Sequence, residues 1–247
     1  MYLDRRRKLG SAVASDADSY SQHHREHDER IAAAWAACGD VYTRYFMRRR
    51  AASQSTVECE LIFCLLSGHG VSFELASSAA DVINSLGPFD PGWSDTALEH
   101  RVWLELTTPQ FNPARRDGRL RRYRYPKRKT AALVTARSWL FLHEDLLGTL
   151  VQLPELERRE FFTACPGIGL KTAGWLLRNL GLAESLAIID VHVARALKGT
   201  GRVEEHASLR SYETFERAYL DWCQELGASA AAFDLFLWDL QRGTLHA

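Results

Sequence analysis

The stretch ACPGIGLKTAGWLLRNLG, residues 164–181, decides the fold. Pro166 disfavours a helical conformation in the residue before it, so the preceding helix must end there. Gly167 and Gly169 permit positive φ and let another backbone approach closely. An amphipathic run follows, with Lys171 in the first turn of the new helix. The stretch therefore predicts two helices joined by a tight glycine turn.

This predicted hairpin spans about residues 155–180. The second helix begins with unpaired N–H groups and the positive end of its dipole, a combination that binds phosphate without reading a base. We therefore expect Gly167, Gly169 and Thr172 to contact a nucleic-acid backbone. A monovalent cation held by the turn carbonyls could assist, and we expect no other cofactor.

Basic residues are concentrated in one segment, although the whole chain is neutral. The 247 residues include 31 basic and 31 acidic side chains, so the total charge does not indicate a partner. ARRDGRLRRYRYPKRK, residues 114–129, carries nine Lys or Arg with two tyrosines. Such a mixture suits phosphate contacts supported by aromatic packing, and it is also compatible with a solvated surface. Arg124 and Lys127 are the candidate phosphate contacts in it.

Cysteine usage and hydropathy restrict the compartment. The five cysteines are scattered and form no C-x-x-C pair, which indicates a reducing compartment and no disulfide framework, zinc site or iron–sulfur cluster. No apolar run reaches the ~18 residues of a membrane helix, and no apolar stretch follows the basic N-terminus. We expect a cytoplasmic protein located with the nucleoid, without metal or membrane partner.

Helical periodicity dominates the chain and predicts an all-α protein of about ten helices. LAIID, residues 186–190, is too short to build a sheet. One apolar stripe near the N-terminus includes Trp35 and Tyr42, with Gly39 as a candidate break in its helix. We expect residues 1–55 to form a partly flexible helical extension and residues 56–247 to form the main domain.

Two motifs then resemble a known family. CPGIGLKTAGWLLRN (165–179) followed by AIIDVHVARAL (187–197) resembles the helix-hairpin-helix and aspartate signature of the base-excision DNA glycosylases. Within that superfamily, the archaeal-type 8-oxoguanine glycosylase/lyases are similar in CELIFCLLSG (59–68), YRYPKRKTAALVTAR (123–137) and FDLFLWDLQRGT (233–244). The resemblance covers about residues 58–245. It implies the helix-hairpin-helix glycosylase fold, with two helical subdomains and the active site in the cleft between them.

The resemblance gives Lys171 and Asp190 catalytic roles. The helix dipole disfavours an ammonium at Lys171 and burial would lower its pKa further, so a neutral amine can attack C1′ of a nucleotide. The Asp190 carboxylate could stabilise charge on the sugar and help deprotonate the lysine. Alone, Lys171 could be a solvated lysine, and Asp190 suits a helix N-cap as well. His192 is expected to be a core residue or a phosphate contact.

The base pocket is predicted from the same relatives. Their C-terminal helix supplies a tryptophan and an acidic group, which here correspond to Trp238 and Asp234, four residues apart on one helical face. Trp238 could instead be a core residue. Ser67 and His69 stand where the family would place Asn or Gln, and the chain ends without the terminal lysine expected there.

The resulting hypothesis is a monomeric, bifunctional DNA glycosylase/AP lyase. It flips out and excises a modified base of double-stranded DNA, with 8-oxoguanine as the expected substrate, through a lysine Schiff base and β-elimination. Two alternatives stay open. One is the same chemistry on another base, such as an oxidised pyrimidine or a modified base of foreign DNA. The other is a non-catalytic module that uses the hairpin only to bind DNA.

Overall fold

Wherever the structure is described, the regular elements are helices, apart from one isolated antiparallel bridge between Phe111 and Arg121. The computed structural model describes residues 3–47, 53–68 and 70–245. Within those ranges the helices are α1 (Leu3–Met47), α2 (Gln54–Leu66), α3 (Phe73–Ser85), α4 (Asp95–Thr107), α5 (Pro126–Phe141), α6 (Leu146–Gln152), α7 (Glu155–Thr163), α8 (Leu170–Asn179), α9 (Val191–Gly199), α10 (Tyr212–Glu225) and α11 (Ala230–Arg242). The predicted all-α class is confirmed. Over the same ranges, no helix has the length and apolar character needed to span a membrane.

The helices form two compact units. The terminal unit combines Met1–Arg49 with Ala187–Ala247, and the central unit is Arg50–Leu186. The terminal unit contains α1 and α9 to α11, and the central unit contains α2 to α8. The boundary predicted near residue 55, between an extension and a main domain, stays a prediction.

Helix α1 is part of the hydrophobic core of the terminal unit. It packs against α11 and α9. Trp35 is 8% exposed and meets the rings of Phe233 and Phe236 edge-on, with 5.3 Å between ring centroids in each pair. The buried Tyr42 hydroxyl donates a hydrogen bond of 3.1 Å to Asp239 Oδ2. These contacts join the first helix to the last one.

Gly39 does not break α1, contrary to the candidate break in its sequence. The helix runs through it. The ring of Trp35, one turn earlier, lies over this position. A Cβ atom on residue 39 would come within 2.7 Å of that ring. Here glycine permits a close side-chain contact, and it does not end the helix.

The central unit is built around α2. This helix packs against α3, α5 and α8, and α7 packs against α8. Its inward face is fully buried and consists of Val57, Leu61, Ile62, Leu65 and Leu66. Because α2 is covered on several sides, the position of its C-terminal end is determined by three neighbouring helices.

We predict that Trp35→Ala lowers the free energy of unfolding by about 3–5 kcal/mol, because a large buried aromatic is deleted from the core of the terminal unit. Tyr45→Ala is the matched control on the same helix, since Tyr45 is 54% exposed. It should cost less than about 1 kcal/mol. Urea denaturation followed by circular dichroism measures both values. Equal costs would contradict the assignment of α1 to the core.

Candidate active site

The glycine hairpin forms as predicted. Helix α7 ends at Thr163 and α8 begins at Leu170. Gly167 has φ +89°, in the region that favours glycine. Gly169 does not use the positive φ that glycine permits, because it is the extended N-cap of α8 with φ −105°. Ile168 is buried between them and donates its N–H to the Cys165 carbonyl at 3.1 Å.

Gly167 also lets the turn pack closely against two helices of the central unit. A Cβ atom on residue 167 would lie 3.3 Å from Leu65 Cδ2 of α2 and 3.4 Å from Ala132 Cβ of α5. The hairpin turn is therefore seated on α2 and α5, and this contact determines where α8 begins.

Lys171 lies in the first turn of α8, as predicted, and is half-buried. Its Nζ lies 3.9 Å from the ring centroid of Trp175, one turn later in the same helix. The Trp175 ring meets the ring of Phe63 in α2 at 5.3 Å. Lys171 is thus held along an aromatic surface that continues onto α2, which is not the arrangement of a fully solvated lysine.

A second lysine, Lys129, lies beside this site. Its Nζ donates hydrogen bonds to the carbonyls of Leu65 and Ser67, the second at 2.7 Å. Burial, together with the neighbouring cations Arg128 and Lys171, lowers the pKa of Lys129 to about 8. Lys129 and Lys171 are therefore close enough for their charges to interact.

Asp190 forms the N-cap of α9 in the terminal unit. Its Oδ1 accepts the N–H groups of His192 at 2.7 Å and Val193 at 2.9 Å. Both hydrogen bonds end on Oδ1, so capping does not compete with a role of Oδ2 toward a substrate. The capping function foreseen for this residue is confirmed, and its catalytic function stays a prediction.

His192 is attached to the last helix. Its Nδ1 lies 3.2 Å from Gln241 Oε1, and Gln241 Nε2 donates to the His192 carbonyl at 2.6 Å. Arg195 donates to the same amide oxygen at 2.9 Å. Gln241 therefore joins the start of α9 to the end of α11, three residues beyond Trp238.

The four predicted base-pocket residues have different surroundings. Asp234 is buried at 7% exposure, and Trp238 is half-buried with the Arg242 guanidinium 4.4 Å from its ring centroid. Ser67 is the C-cap of α2, and its hydroxyl donates to the Phe63 carbonyl at 2.7 Å. His69 lies outside the described residues. Asp234 and Trp238 share one helix of the terminal unit, whereas Ser67 belongs to the central unit.

The remaining predicted backbone contacts surround the end of α2 and the start of α5 and α8. Thr172 follows Lys171 in the first turn of α8 and is half-buried, whereas Arg124 and Lys127 are exposed. Arg124 donates to the Gly70 carbonyl at 2.8 Å. These three residues belong to the central unit, together with Lys171.

The basic segment preceding α5 contains a short antiparallel ribbon. Phe111 and Arg121 exchange backbone hydrogen bonds of 3.0 Å in both directions. We call residues 112–122 the basic ribbon. Its one carboxylate is Asp117, and its exposed cations are Arg115, Arg116, Arg119, Arg121 and Arg122. Such an excess of exposed guanidinium groups favours binding to a polyanion.

Sequence reasoning missed two residues of this site. Trp175 was given no role, although the i,i+4 spacing from Lys171 to Trp175 is a signal that could have revealed the contact. Lys129 stood in the basic segment without a role of its own. No local pattern reveals its partners, because they lie more than 60 positions earlier in the chain.

Comparison with known sequences gives consistent similarities. Residues 110–228 match the profile of the Ogg-HhH family, described as "8-oxoguanine DNA glycosylase". A protein of Thermotoga petrophila named 8-oxoguanine DNA glycosylase/AP lyase is 31% identical over 210 residues, which cover 82% of this chain and 89% of that protein. A protein of the same name from Metallosphaera sedula is 28% identical over 123 residues, or 50% of this chain and 60% of that protein.

Solved structures agree with the helical fold. The 8-oxoguanine DNA glycosylase of Thermotoga maritima has a TM-score of 0.65 and 25% identity, covering 91% of this chain and 100% of that chain. The glycosylase/lyase of Methanocaldococcus jannaschii, solved with a 15mer DNA containing 8-oxoguanine, has a TM-score of 0.58. At 21% identity, covering 84% of this chain and 92% of that one, this second match supports the fold alone.

We predict that Gly167→Ala destabilises the protein by at least about 2 kcal/mol, because alanine disfavours positive φ and its Cβ would press on Leu65 and Ala132. Gly169→Ala is the control in the same turn. Nothing lies within 4 Å of its added Cβ, and it should cost less than about 1 kcal/mol. Chemical denaturation compares the two variants, and a reversed order would contradict the turn geometry.

We further predict that Arg121→Gln combined with Arg122→Gln weakens DNA binding and flattens its salt dependence. Each lost phosphate contact should reduce the slope of log K against log salt by about 0.9. Arg210→Gln combined with Arg217→Gln removes two exposed arginines of the terminal unit as a charge-matched control. Fluorescence anisotropy at several salt concentrations measures the slopes. Equal slopes for both double variants would exclude a specific contribution of the ribbon.

Proposed function

The chain belongs to the 8-oxoguanine DNA glycosylase family, and on that premise we propose that it is a bifunctional DNA glycosylase/AP lyase of the nucleoid that excises 8-oxoguanine. Lys171 is its nucleophile. The observation that carries this proposal is the position of Lys171, in the first turn of α8 directly behind the glycine turn and half-buried against Trp175. Phosphate contact alone does not need an amine held in this way.

The reaction begins when the neutral amine of Lys171 attacks C1′ of the extruded nucleotide. A bond forms between Nζ and C1′, the glycosidic bond breaks, and its electron pair leaves with the base, which takes up a proton. Opening of the sugar ring gives a protonated Schiff base. Loss of a proton from C2′ then expels the 3′ phosphate by β-elimination, and water releases the lysine.

Asp190 supplies negative charge to this reaction. Its carboxylate stabilises the positive charge that develops on the sugar as the base departs, and it can take the proton of the attacking amine. The N-cap holds this carboxylate in a defined orientation through two backbone N–H groups. The N-cap hydrogen bonds thus position the negative charge of the Asp190 carboxylate.

DNA binding combines two surfaces of the central unit. The N–H groups at the start of α8 suit a phosphate of the damaged strand, and Thr172 extends this contact. The basic ribbon, with Arg124 and Lys127, supplies sequence-independent attraction to the backbone. In the terminal unit, His192 is a further candidate for a phosphate contact. A monovalent cation at the hairpin turn would strengthen phosphate binding and take no part in the chemistry.

The substrate proposal concerns the base that is recognised after flipping. We propose that Trp238 offers a flat surface to the extruded base and that Asp234 accepts hydrogen bonds from it, with Ser67 and His69 completing the pocket. The names of the relatives support 8-oxoguanine. Duplexes carrying single defined lesions, including oxidised pyrimidines, test this choice directly. We propose that the enzyme acts as a monomer.

We predict that borohydride traps a covalent adduct between the protein and a duplex containing 8-oxoguanine, and that Lys171→Gln abolishes it. Asp190→Asn should lower single-turnover cleavage by at least about a hundredfold while binding is retained. Asparagine also caps helices, so this variant removes the charge and keeps the fold. Denaturing gel electrophoresis of the trapped products measures both effects.

Lys198→Gln is the control for removal of a lysine, because Lys198 Nζ donates to the Glu205 carbonyl within the terminal unit. It should leave trapping unchanged. An abasic duplex separates the lyase step from base excision. Tight, salt-sensitive binding without an adduct on any lesion would contradict the enzyme and favour the binding module.

A further inference from the structure

We propose that Lys129 is a positioning residue that holds the proton of a lysine pair, so that Lys171 is the amine that reacts. This inference rests on the proposed function, since it concerns the nucleophile of that reaction. It goes beyond that function by assigning a role to a residue outside the catalytic pair.

The Lys129 ammonium lies at the C-terminal end of α2. It binds the carbonyls of Leu65 and Ser67, which belong to the last turn and the C-cap of α2. The C-terminal end of a helix carries partial negative charge and unpaired carbonyl oxygens, both of which favour a cation. A neutral amine could also donate to both carbonyls, but only the protonated amine gains from this partial negative charge.

Lys171 lies at a helix end of the opposite polarity. The first turn of α8 carries partial positive charge, which disfavours an ammonium there. Lys129 also belongs to the first turn of its own helix, but its Nζ is bonded to the end of α2. The environments of the two amines therefore differ in sign.

The two lysines belong to one packed group formed by α2, α5 and the turn before α8. Ala132 is one turn after Lys129, and both the Gly167 turn and α2 pack against that part of α5. Gly167 precedes Lys171 by four residues. The Lys171 Nζ lies over the Trp175 ring, and this ring packs on Phe63 of α2. Burial, followed by the charges of Arg128 and Lys171, lowers the pKa of Lys129, and the repulsion between two neighbouring cations is mutual.

The contact with Trp175 makes such a neighbour necessary. An ammonium over the face of a tryptophan is stabilised by the ring, which opposes the loss of the proton. A positive charge nearby works in the other direction while it stays protonated, because it destabilises the Lys171 ammonium and leaves the neutral amine unaffected. Lys129 supplies that charge.

Other groups around the pair do not replace Lys129. Burial raises the pKa of the Cys64 thiol to about 12, so that this neighbour from α2 is uncharged near neutral pH. Burial likewise raises the pKa of the Tyr123 hydroxyl, which donates to the Leu66 carbonyl. Among the described residues, the other charged groups of α2, α5 and α8 and of the segment just before α5 are Glu58, Glu60, Arg124, Lys127, Arg128, Arg137 and Arg178. Glu60 accepts a hydrogen bond from Asn179, Arg137 pairs with Asp95, and Arg124 donates to the Gly70 carbonyl. Arg124 and Arg128 are exposed, so solvent screens their charges more strongly than that of Lys129.

The experiment measures the pKa of Lys171 directly, without DNA. Trace acetic anhydride acetylates neutral amines, and mass spectrometry of peptides gives the extent at each lysine from about pH 6 to about pH 11. In Lys129→Met the midpoint for Lys171 should rise by about one unit, because a nearby cation is lost. The acid limb of borohydride trapping should move up by the same amount, so trapping at pH 7 falls roughly tenfold and recovers at higher pH.

Two variants separate this electrostatic effect from loss of structure. Lys129→Arg keeps a cation at the end of α2 and should keep the midpoint of Lys171 near its original value. Arg128→Gln removes an exposed cation from the same turn of α5 and should also leave that midpoint in place. If the methionine variant does not fold, Lys129→Gln serves instead, since its amide can still donate to the carbonyls.

The outcomes distinguish this inference from the proposed function. An unchanged Lys171 midpoint in Lys129→Met, or an equal rise in Lys129→Arg, would overturn the inference even if trapping succeeds. Absence of trapping on every lesion, together with the expected rise in the midpoint, would overturn the lyase and leave the lysine pair standing. We expect Lys129→Met and Lys129→Arg to lose stability alike, and we expect the Lys171 midpoint to rise in Lys129→Met alone.

Discussion

The carbonyl groups at the C-terminal end of α2 are the constraint on which the site depends. A helix leaves its last carbonyls without partners in the helix, so they must be bonded from elsewhere when that end is covered. Here Lys129 binds the carbonyls of Leu65 and Ser67, and Tyr123 binds that of Leu66. Three successive carbonyls are thus satisfied by two side chains from the segment around the start of α5.

The same helix end also positions the proposed nucleophile, Lys171. Gly167 brings the hairpin turn against Leu65, and the Trp175 ring that supports Lys171 lies on Phe63. Helix α2 therefore supports both the lysine that we propose keeps its proton and the lysine that we propose loses it. Opposite helix ends accomplish this, because the charge at the end of α2 favours a cation and the charge at the start of α8 disfavours one. The arrangement is consistent with the proposed role of Lys171 as a reactive amine at a helix start that suits a phosphate.

Local rules predicted the parts of the site that depend on neighbouring residues. Proline and glycine chemistry placed the hairpin and put Lys171 in the first turn of α8, and capping rules anticipated Asp190 at the start of α9. The contacts of Lys129 could not be predicted, because they join segments more than 60 residues apart. Gly39 was judged by its low helix propensity, whereas its contact with the Trp35 ring determines its role.

The central claim is that one particular amine becomes covalently attached to the sugar. Peptide mapping of the borohydride-reduced adduct by tandem mass spectrometry tests it most directly, because it identifies the modified residue among two lysines whose charges interact. We predict that the modification lies on Lys171 in every adduct peptide. Modification of Lys129 would contradict the account, since it would show that the amine bound to the end of α2 is the one that loses its proton and reacts.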